Sequence, residues 1–465
     1  MAQQLAEHPG LSGIHPLADA HDAFAARMLL ASAAESTLDV QYYIWRRDTT
    51  GLLLLDKLYQ AAERGVRVRL LLDDHGSRGL DQDLAALNLH SMIEVRLFNP
   101  FVQRNHRWAG FLTDFWRLNR RMHNKSFIAD NQAAIIGGRN IGDEYFGAND
   151  GLLFADLDVL AIGEVVPSTS QDFDRYWASA SAYPVDRLVQ PDEAELDRLV
   201  SQAGELERDS SSAEYLDAVR DAGFMQRMLE GELACEWART HLVSDDPKKV
   251  LDKADRAGLM LPQLFELLDM PERSLDLVSP YFVPTAAGTA ALASLVEQGV
   301  RVRVLTNALE ATDVAAVHSG YAKWRADLLR AGVELYELRR LSSDTPEFKA
   351  GPFGSSGSSL HAKTFAVDGR KAFVGSFNFD PRSASLNTEL GFVIESPRLA
   401  RQIGDAFDTA IPRSAYTVRL SESGRVYWLE AGEDGPIRHD VEPGAGLGLR
   451  MGVRLLSLFP IDWML

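Results

Sequence analysis

Two stretches of the sequence carry a histidine and a lysine two residues apart, followed at equal distances by an aspartate and an asparagine. They are His123, Lys125, Asp130 and Asn140 in the first stretch, and His361, Lys363, Asp368 and Asn378 in the second, each 238 residues after its counterpart. Residues two apart on a strand project from the same face, so each histidine shares a side with its lysine. Paired lysines, imidazoles and amides pack poorly in a core. They form a good receptor for a phosphodiester, whose growing negative charge they would stabilise in the transition state.

The elements that must position these residues also occur twice. Residues 37–74 and 274–307 each read as a strand, a helix and a second strand that begins Gly-Val-Arg-Val-Arg, with Gly65 and Gly299 at the expected helix ends. This pattern predicts two α/β domains, each with a mixed, mostly parallel sheet flanked by helices. A duplicated domain commonly packs on its copy about a two-fold axis. We therefore expect a pseudo-two-fold arrangement in which both motifs share one cleft.

The same patterns divide the chain into four parts. We expect an N-terminal α/β domain at 1–190, a helical connection at 191–260, a C-terminal α/β domain at 261–440 and an amphipathic tail at 441–465. The connection is acidic, favours helix and is poor in strand signals. Residues 341–359 are rich in glycine and serine, which predicts a mobile loop that either covers the second motif or is a tolerated insertion.

Composition limits the possible functions. The 465 residues are 46% hydrophobic and 25% charged, as in an ordinary soluble globular protein, and the single Cys235 allows no internal disulfide. The net charge of -18 argues against a protein that grips nucleic acid. The exception is the basic stretch, residues 103–125, which has six basic residues and one acid, Asp114. It is either a solvated loop or the place where an anionic substrate arrives.

Neither a membrane-spanning segment nor a signal peptide is expected. No apolar run approaches the roughly 20 residues that cross a bilayer, and the N-terminus lacks a basic region followed by an apolar one. The C-terminal tail interleaves Arg450 and Arg454 with apolar residues. It is either an interfacial helix with arginines facing anionic headgroups or a terminal helix docked on the core.

The double motif resembles the signature of the phospholipase D superfamily. The pattern is His-x-Lys, Asp five residues on, then Gly-(Gly/Ser)-x-Asn, and it departs from the general form at Gly138, where Ser376 keeps the usual serine. The segments at 41–45, 121–146 and 452–465 resemble bacterial cardiolipin synthases of the C type, and the likeness spans nearly the whole chain. The fold implied is two duplicated phospholipase D-like domains with one shared active site.

The resemblance also implies a two-step phosphodiester exchange that uses no metal and no other cofactor. His123 is assigned as the nucleophile that forms a phosphohistidine and His361 as the general acid and base, although the near symmetry of the halves allows the reverse. The phosphoryl oxygens would be bound by Lys125, Lys363, Asn140 and Asn378. The family places a carboxylate behind each histidine, which assigns Asp158 to His123 and Glu389 to His361; the alternative for both is a surface carboxylate at a strand end.

Other residues near the motifs complete the expected site. The candidates for substrate binding are Ser126, Thr364, Ser376, Arg121, Tyr43 and Tyr281; the two tyrosines are alternatively core aromatics. Asp130 and Asp368 are expected to anchor backbone. The run Asp73-Asp74-His75 suggests a metal cluster, but the second copy has no matching ligand set, so no metal is expected.

Three functions follow from these features. The first is a phosphatidyltransferase acting on phosphatidylglycerol, with phosphatidylethanolamine as a further lipid partner, at a membrane surface. The second is a hydrolase that cuts phospholipid or, less in keeping with the charge, nucleic acid. The third is a non-catalytic membrane-binding protein that has kept the fold. The presence of intact motifs in both halves argues against this third function. The expected location is peripheral, on the cytoplasmic face of a bacterial inner membrane, with no nucleic-acid partner.

Overall fold

The structure is a computed structural model that describes residues 2–104, 106–148, 153–192, 194–221, 223–230, 232–340, 359–459 and 462–464. Apart from Ser359, the expected loop at 341–359 lies outside these residues. Two large sheets organise the described chain.

The first sheet belongs to the N-terminal half. Its strands are β1 (Ser12–Leu17), β2 (Thr37–Ile44), β3 (Arg67–Gly76), β4 (Ile93–Phe98), β5 (Ser126–Ala129), β6 (Ala133–Gly137), β8 (Asp158–Gly163), β9 (Ala182–Pro184) and β10 (Glu236–Ala238). Their order across the sheet is β10-β1-β8-β6-β5-β2-β3-β4-β9.

The second sheet belongs to the C-terminal half. Its strands are β11 (Thr240–Ser244), β12 (Ser274–Val278), β13 (Arg301–Asn307), β14 (Glu334–Leu338), β16 (Thr364–Val367), β17 (Lys371–Gly375), β18 (Leu390–Ile394), β19 (Ala415–Leu420), β20 (Val426–Glu430) and β21 (Ile437–His439). Their order is β11-β18-β17-β16-β12-β13-β14-β19-β20-β21. The short strands β7 (Phe154–Ala155) and β15 (Ser359–Leu360) pair with each other and join the two halves.

Helices cover the sheets and fill the connections. They are α1 (Ala2–Glu7), α2 (Ala20–Ala33), α3 (Thr49–Glu63), α4 (Asp81–Leu87), α5 (Arg107–Thr113), α6 (Phe115–Leu118), α7 (Asp143–Phe146), α8 (Val165–Trp177), α9 (Ala194–Leu206), α10 (Ser210–Asp221), α11 (Phe224–Leu229), α12 (Met260–Leu268), α13 (Thr285–Glu297), α14 (Ala315–Ala322), α15 (Arg325–Arg330), α16 (Pro381–Ser385), α17 (Pro397–Asp408), α18 (Ile411–Ser414) and α19 (Leu447–Leu456). Short 3-10 turns lie at Val185–Arg187, Pro247–Leu251, Arg256–Gly258 and Asp462–Met464.

Strand order confirms the duplication. From β1 to β9 in one sheet and from β11 to β19 in the other, eight strand positions correspond one to one. The expectation of mostly parallel strands is wrong, however. Only the neighbouring pairs β2–β3–β4 and β12–β13–β14 are parallel in these sheets, because the motif strands that follow return as antiparallel hairpins.

The glycines that end the first helix of each repeat have the conformation that the sequence predicts. Gly65 and Gly299 follow α3 and α13 with φ of 93° and 89°, the left-handed region that glycine enters without steric cost. Each helix then returns the chain to a parallel strand beside the one before it.

The two sheets pack on each other through the strands that follow the motifs. One hydrophobic cluster contains Ile136 and Val159 of the first sheet together with Val374 and Phe392 of the second. The strands that carry these residues, β6 and β8 against β17 and β18, are therefore apolar on both faces. Burial of this shared core fixes the two motifs relative to each other.

The connecting segment 191–260 contains more than the expected helices. Helices α9, α10 and α11 pack on the N-terminal half, after which β10 joins the edge of the first sheet and β11 joins the edge of the second. The prediction missed both strands because they are only three and five residues long and lack a long alternating pattern.

The C-terminal tail is docked on one side and open on the other. Glu442 accepts from Arg325 at 2.8 Å and contacts His318 at 3.0 Å, and Val453 of α19 is buried. Helix α19 packs on α14, whereas Leu447, Met451 and other apolar side chains of the tail are exposed. No helix in the described part of the chain is both long and apolar enough to span a bilayer.

Candidate active site

Each motif lies at the start of a tight antiparallel hairpin. His123 and Lys125 directly precede β5, and His361 and Lys363 directly precede β16. The Lys125 ammonium donates to the carbonyl oxygen of His123 at 2.6 Å, and that of Lys363 donates to the carbonyl oxygen of His361. Each lysine therefore fixes the backbone of its own histidine.

The motif aspartates hold the hairpins to the neighbouring strand. The Asp130 carboxylate accepts from the backbone N–H groups of residues 35, 36 and 37 at 2.7–2.9 Å. The Asp368 carboxylate accepts in the same way from residues 272, 273 and 274. Both aspartates have a positive φ, 52° and 54°, at the hairpin turn. The structure therefore places them as backbone anchors.

The carboxylates behind the histidines cross between the halves. Nδ1 of His123 lies 2.8 Å from Oε2 of Glu389, and Nδ1 of His361 lies 2.6 Å from Oδ2 of Asp156. The expected pairing of Glu389 with His361 is therefore wrong, and so is the choice of Asp158. A bond from each Nδ1–H to a carboxylate fixes the tautomer of the neutral ring, with the lone pair on Nε2.

Backbone hydrogen bonds reinforce this crossed arrangement. The N–H of His123 donates to the carbonyl of Thr388 at 2.9 Å, and the N–H of His361 donates to the carbonyl of Ala155 at 2.8 Å. In both cases the acceptor immediately precedes the carboxylate that holds the imidazole. The two halves thus meet at the site through the same contact made twice, with the partners exchanged.

Asp158 has a structural task instead. Its carboxylate accepts from Arg27 at 2.8 Å and from the backbone N–H of Arg139 at 3.1 Å. Strand register shows why Asp156 is the functional residue: Gly137 pairs with Asp158 as Gly375 pairs with Gly391. The segment Asp156-Leu157 therefore corresponds to Glu389-Leu390, a signal that was present in the sequence.

The two carboxylate side chains differ in length, glutamate in one half and aspartate in the other. The motif residues that contact them also differ in size, Ser376 beside Glu389 and Gly138 beside Asp156. Ser376 donates to Glu389, and Ser383 also donates to it at 2.8 Å. Ser376 thus positions a carboxylate rather than the substrate, contrary to the expectation. In the other half a Cβ at Gly138 would lie 2.1 Å from Oδ1 of Asp156. The departure from serine at Gly138 is therefore required by the shorter aspartate.

Gly138→Ser is expected to displace Asp156 from His361. We expect turnover to fall at least about 100-fold and the free energy of unfolding to fall by about 1–3 kcal/mol, because the added atoms overpack a closed site. Steady-state kinetics and thermal unfolding measure the two effects. Gly204→Ser on α9, where a Cβ meets only the end of the Arg208 side chain at 3.3 Å, is the control. Unchanged turnover in Gly138→Ser would contradict this account.

Burial and neighbouring charges make the two imidazoles unequal. Each histidine is 7% exposed. Burial, followed by the charges of Lys125 and Lys363, holds the pKa of His123 well below 6.5. Burial and Lys363 also lower the pKa of His361, but the Asp156 carboxylate opposes them. Both lysines thus act on both rings, as a single cleft requires.

The carboxylates show the same inequality. Burial raises the pKa of Glu389 to about 7. Burial alone would raise the pKa of Asp156 too, but His361, Lys363 and Arg139 together lower it to about 2. Asp156 is therefore the stronger permanent anion and the better partner for a charged imidazole.

The lysines and asparagines supply the polar lining. Burial lowers the pKa of Lys125 to about 7 and that of Lys363 to about 8. A bound anion would favour the charged form of both ammonium groups and raise these pKa values again. Oδ1 of Asn140 accepts from the N–H of Ile44 at 3.1 Å, and its amide donates to Tyr145. Oδ1 of Asn378 is buried with no partner among the described residues.

The remaining candidates divide between the cleft and its support. Ser126 donates to Gln41 at 3.4 Å, whereas the buried hydroxyl of Thr364 has no partner in the described part of the chain. The Tyr43 ring lies edge-on to His123, with centroids 4.9 Å apart. Tyr281 donates to Asp313 at 2.8 Å.

One cleft residue was missed at the sequence level. The Tyr145 ring lies 5.2 Å from the His361 ring, centroid to centroid, and its hydroxyl meets the Asn140 amide at 3.0 Å. It occupies the short helix α7, just after the first motif, and has no aromatic counterpart 238 residues later, where Ser383 stands. The repeat comparison therefore gave no signal for it.

The basic stretch does not offer free arginines. Its arginines are paired with carboxylates: Arg104 and Arg107 with Asp81, Arg117 with Asp114, Arg120 with Asp252, and Arg121 with Asp73. Arg121 is buried and also donates to the carbonyl of Asn99. The expectation that Arg121 binds substrate directly is therefore contradicted, and Asp73 serves an arginine rather than a metal.

The arrangement as a whole supports covalent phosphoryl chemistry. Two buried imidazoles come from opposite halves, each is held through Nδ1 by a carboxylate of the other half, and two buried lysines act on both. One ring can attack phosphorus while the other protonates the departing oxygen.

Comparison with known proteins covers nearly the whole chain. Residues 28–177 and 264–411 match the family model described as "Cardiolipin synthase, PLD-like domain". The chain is 49% identical to cardiolipin synthase C of Escherichia coli (strain K12), over 99% of this chain and 97% of that protein. It is 25% identical to cardiolipin synthase of Oceanobacillus iheyensis, over 88% and 70% of the two chains. A crystal structure of phosphatidylserine synthase from Haemophilus influenzae Rd KW20 shares the fold, with a TM-score of 0.61 at 15% identity over 100% and 99% of the two chains.

Proposed function

The chain belongs to the cardiolipin synthase family with phospholipase D-like domains, and we propose that it is a phosphatidyltransferase that forms cardiolipin on phosphatidylglycerol. The observation that carries the proposal is the pair of crossed histidine–carboxylate contacts, 2.8 and 2.6 Å, which hold both buried histidines at the interface between the halves. The donor is a second phospholipid, either phosphatidylglycerol or phosphatidylethanolamine.

In the first step His123 is the nucleophile. Nε2 of His123 attacks phosphorus, the bond from phosphorus to the headgroup oxygen breaks, and Nε2–H of His361 gives that oxygen its proton. The division of roles follows from the unequal imidazoles. Burial and the two lysines hold the pKa of His123 well below 6.5, which favours the neutral ring that attacks phosphorus. The Asp156 carboxylate, 2.6 Å from Nδ1 of His361, opposes the lowering of the pKa of His361 and stabilises its protonated form.

In the second step the roles of acid and base reverse. His361 takes the proton of a glycerol hydroxyl of phosphatidylglycerol as its oxygen attacks the phosphohistidine, and the bond from phosphorus to His123 breaks. Lys125 and Lys363 stabilise the charge on the phosphoryl oxygens in both steps. Water competes with the lipid hydroxyl for the intermediate, and the low exposure of both imidazoles disfavours it.

The site of action proposed is the surface of a bacterial inner membrane, on its cytoplasmic face. The tail supports membrane contact, since residues 443–459 include Arg450 and Arg454, no acid and several exposed apolar side chains. Arginines on an amphipathic helix of this kind attract anionic headgroups.

Product analysis tests the proposed function. The purified chain is mixed with vesicles of phosphatidylglycerol and phosphatidylethanolamine that carry different headgroup labels. We expect cardiolipin as the main phospholipid product, with release of the headgroup of the donor, and no product with His123→Ala. Phosphatidic acid without cardiolipin would show hydrolysis instead. No turnover by the wild type on any phospholipid would contradict the enzyme assignment.

A further inference from the structure

The α5–α6 hairpin, residues 101–104 and 106–119, exposes large apolar side chains on its outer surface. Val102, Trp108 and Leu112 are 86%, 67% and 78% exposed. Trp108 and Leu112 are four residues apart on α5 and therefore share one face. No residue of α5 is buried, although most of its side chains are apolar. A short helix of this composition normally needs a partner for its outer face.

The inner face of the hairpin already has its partner. The Phe111 ring packs on Phe101, with centroids 5.5 Å apart, and both rings contact His75. A Cβ at Gly110 would lie 2.9 Å from Leu118, so the turn between α5 and α6 is closely packed. The exposure of the outer residues is thus not a sign that the helix is loosely attached.

The charges of the hairpin are already neutralised. Arg104 and Arg107 pair with Asp81, and Arg117 pairs with Asp114. A chain of net charge -18 is, as a whole, repelled by anionic lipid. A charge-paired face with exposed tryptophan and leucine avoids this repulsion. Such a face suits the boundary between headgroups and acyl chains, where tryptophan is enriched.

The hairpin ends close to the first motif, since Asn119 lies four residues before His123 in the chain. Arg382 donates to the carbonyl of Asn119 at 2.6 Å and to its side chain at 2.9 Å. The same guanidinium contributes to the lowered pKa of His123 and lies 3.3 Å from the carbonyl of Met464 in the tail. The hairpin and the end of the tail therefore meet at Arg382, whose charge also acts on His123.

We propose that the α5–α6 hairpin inserts its outer face, Val102, Trp108 and Leu112, into the interfacial region of a phospholipid bilayer and so brings the cleft to the membrane. The choice of a phospholipid bilayer as the partner rests on the proposed function. The test does not, because it measures binding to vesicles rather than turnover. Insertion by apolar side chains is independent of lipid charge, whereas attraction through Arg450 and Arg454 of the tail weakens with salt.

Vesicle binding separates the two contributions. The variants are Trp108→Gln with Leu112→Gln for the hairpin, Arg450→Gln with Arg454→Gln for the tail, and Phe265→Gln with Met270→Gln as a control at two exposed apolar residues elsewhere. Co-sedimentation is measured with vesicles of phosphatidylcholine alone and with added phosphatidylglycerol, at low and high salt. Circular dichroism and thermal unfolding show that each variant is folded.

We expect the hairpin variant to bind both kinds of vesicle at least about tenfold more weakly at either salt concentration, since two large apolar side chains leave the bilayer. The tail variant is expected to lose binding mainly to anionic vesicles at low salt, and the control to match the wild type. Wild-type binding by the hairpin variant would overturn the inference. So would a loss that high salt abolishes or that the control shares.

Activity on a water-soluble, short-chain phosphatidylglycerol distinguishes this inference from the proposed function. The hairpin variant is expected to keep wild-type turnover on that lipid and to lose about tenfold on long-chain vesicles. If neither the wild type nor any variant turns over either lipid, but vesicle binding still depends on the hairpin, the proposed function fails and the docking inference stands.

Discussion

His123→Ala is expected to abolish formation of the phosphohistidine and to reduce phosphatidyl transfer by about 10⁴-fold or more, because the atom that bonds to phosphorus is removed. His361→Ala is expected to reduce transfer strongly as well, since His361 gives a proton to the leaving alcohol and takes one from the incoming alcohol. The two losses have different origins, and a substrate with an activated leaving group separates them.

A phosphatidyl ester of an acidic phenol needs no proton to release its leaving group. With this substrate, His361→Ala is expected to give one equivalent of phenol in a rapid burst and to accumulate labelled enzyme, whereas His123→Ala gives neither. Acid-sensitive, base-stable label on the protein identifies the phosphohistidine. A burst from His123→Ala but not from His361→Ala would assign the nucleophile to the other ring, and label in neither would exclude the covalent route.

Glu389→Gln is expected to inactivate the enzyme while making it more stable at alkaline pH. The glutamine amide can donate to Nδ1 of His123, which shifts the imidazole proton to Nε2, the atom that must attack. We expect turnover to fall roughly 10³–10⁴-fold for this change of tautomer.

The gain in stability follows from the raised pKa of Glu389. Burial moves it from 4.5 to about 7, so the folded chain keeps a proton that the unfolded chain releases between these values. The contribution of this carboxyl to stability is complete below pH 4.5 and is lost as pH rises through 7. Glutamine carries no charge to bury, and we expect a gain of about 1–3 kcal/mol at pH 8 and little difference at pH 4.5.

Asp156→Asn is the matched control with the opposite sign. The pKa of Asp156 is lowered from 3.8 to about 2, so its stabilising contribution is present above pH 3.8 and is lost as pH falls through 2. We therefore expect Asp156→Asn to lose about 1–3 kcal/mol at pH 8, and to be inactive like Glu389→Gln. Denaturant unfolding across pH measures both. A shift of the same sign in the two variants would contradict the proposed inequality of the carboxylates.

The duplication and the two motifs were predictable because they are local patterns. The β-α-β units, the helix-ending Gly65 and Gly299, and the spacing from His123 to Asn140 each lie within a short span of chain. The contact between His123 and Glu389 joins residues 266 positions apart across the interface between the halves. The sequence around each histidine does not indicate which half supplies its carboxylate. The crossed pairing could therefore be found only from the structure.

Two other differences have equally specific causes. Asp156 lies just before β8 and Asp158 begins it. Asp158 pairs with Gly137 as Gly391 pairs with Gly375, and this register shows that Asp156 is the counterpart of Glu389. The basic stretch suggested an anion site because most of its acidic partners lie outside it, Asp73 and Asp81 earlier in the chain and Asp252 later. Counting charged residues along a segment does not show which of them form ion pairs with residues from other parts of the chain.

The unequal pairing of Glu389 with Ser376 and of Asp156 with Gly138 gives the cleft a direction. A perfectly two-fold site would accept a phosphodiester in two equivalent orientations, and the covalent adduct would be divided between two rings. Because burial raises the pKa of Glu389 to about 7 whereas the cationic neighbours of Asp156 lower its pKa to about 2, the two orientations differ in free energy. We therefore expect the leaving group to depart beside His361 and the second lipid to approach from that same side.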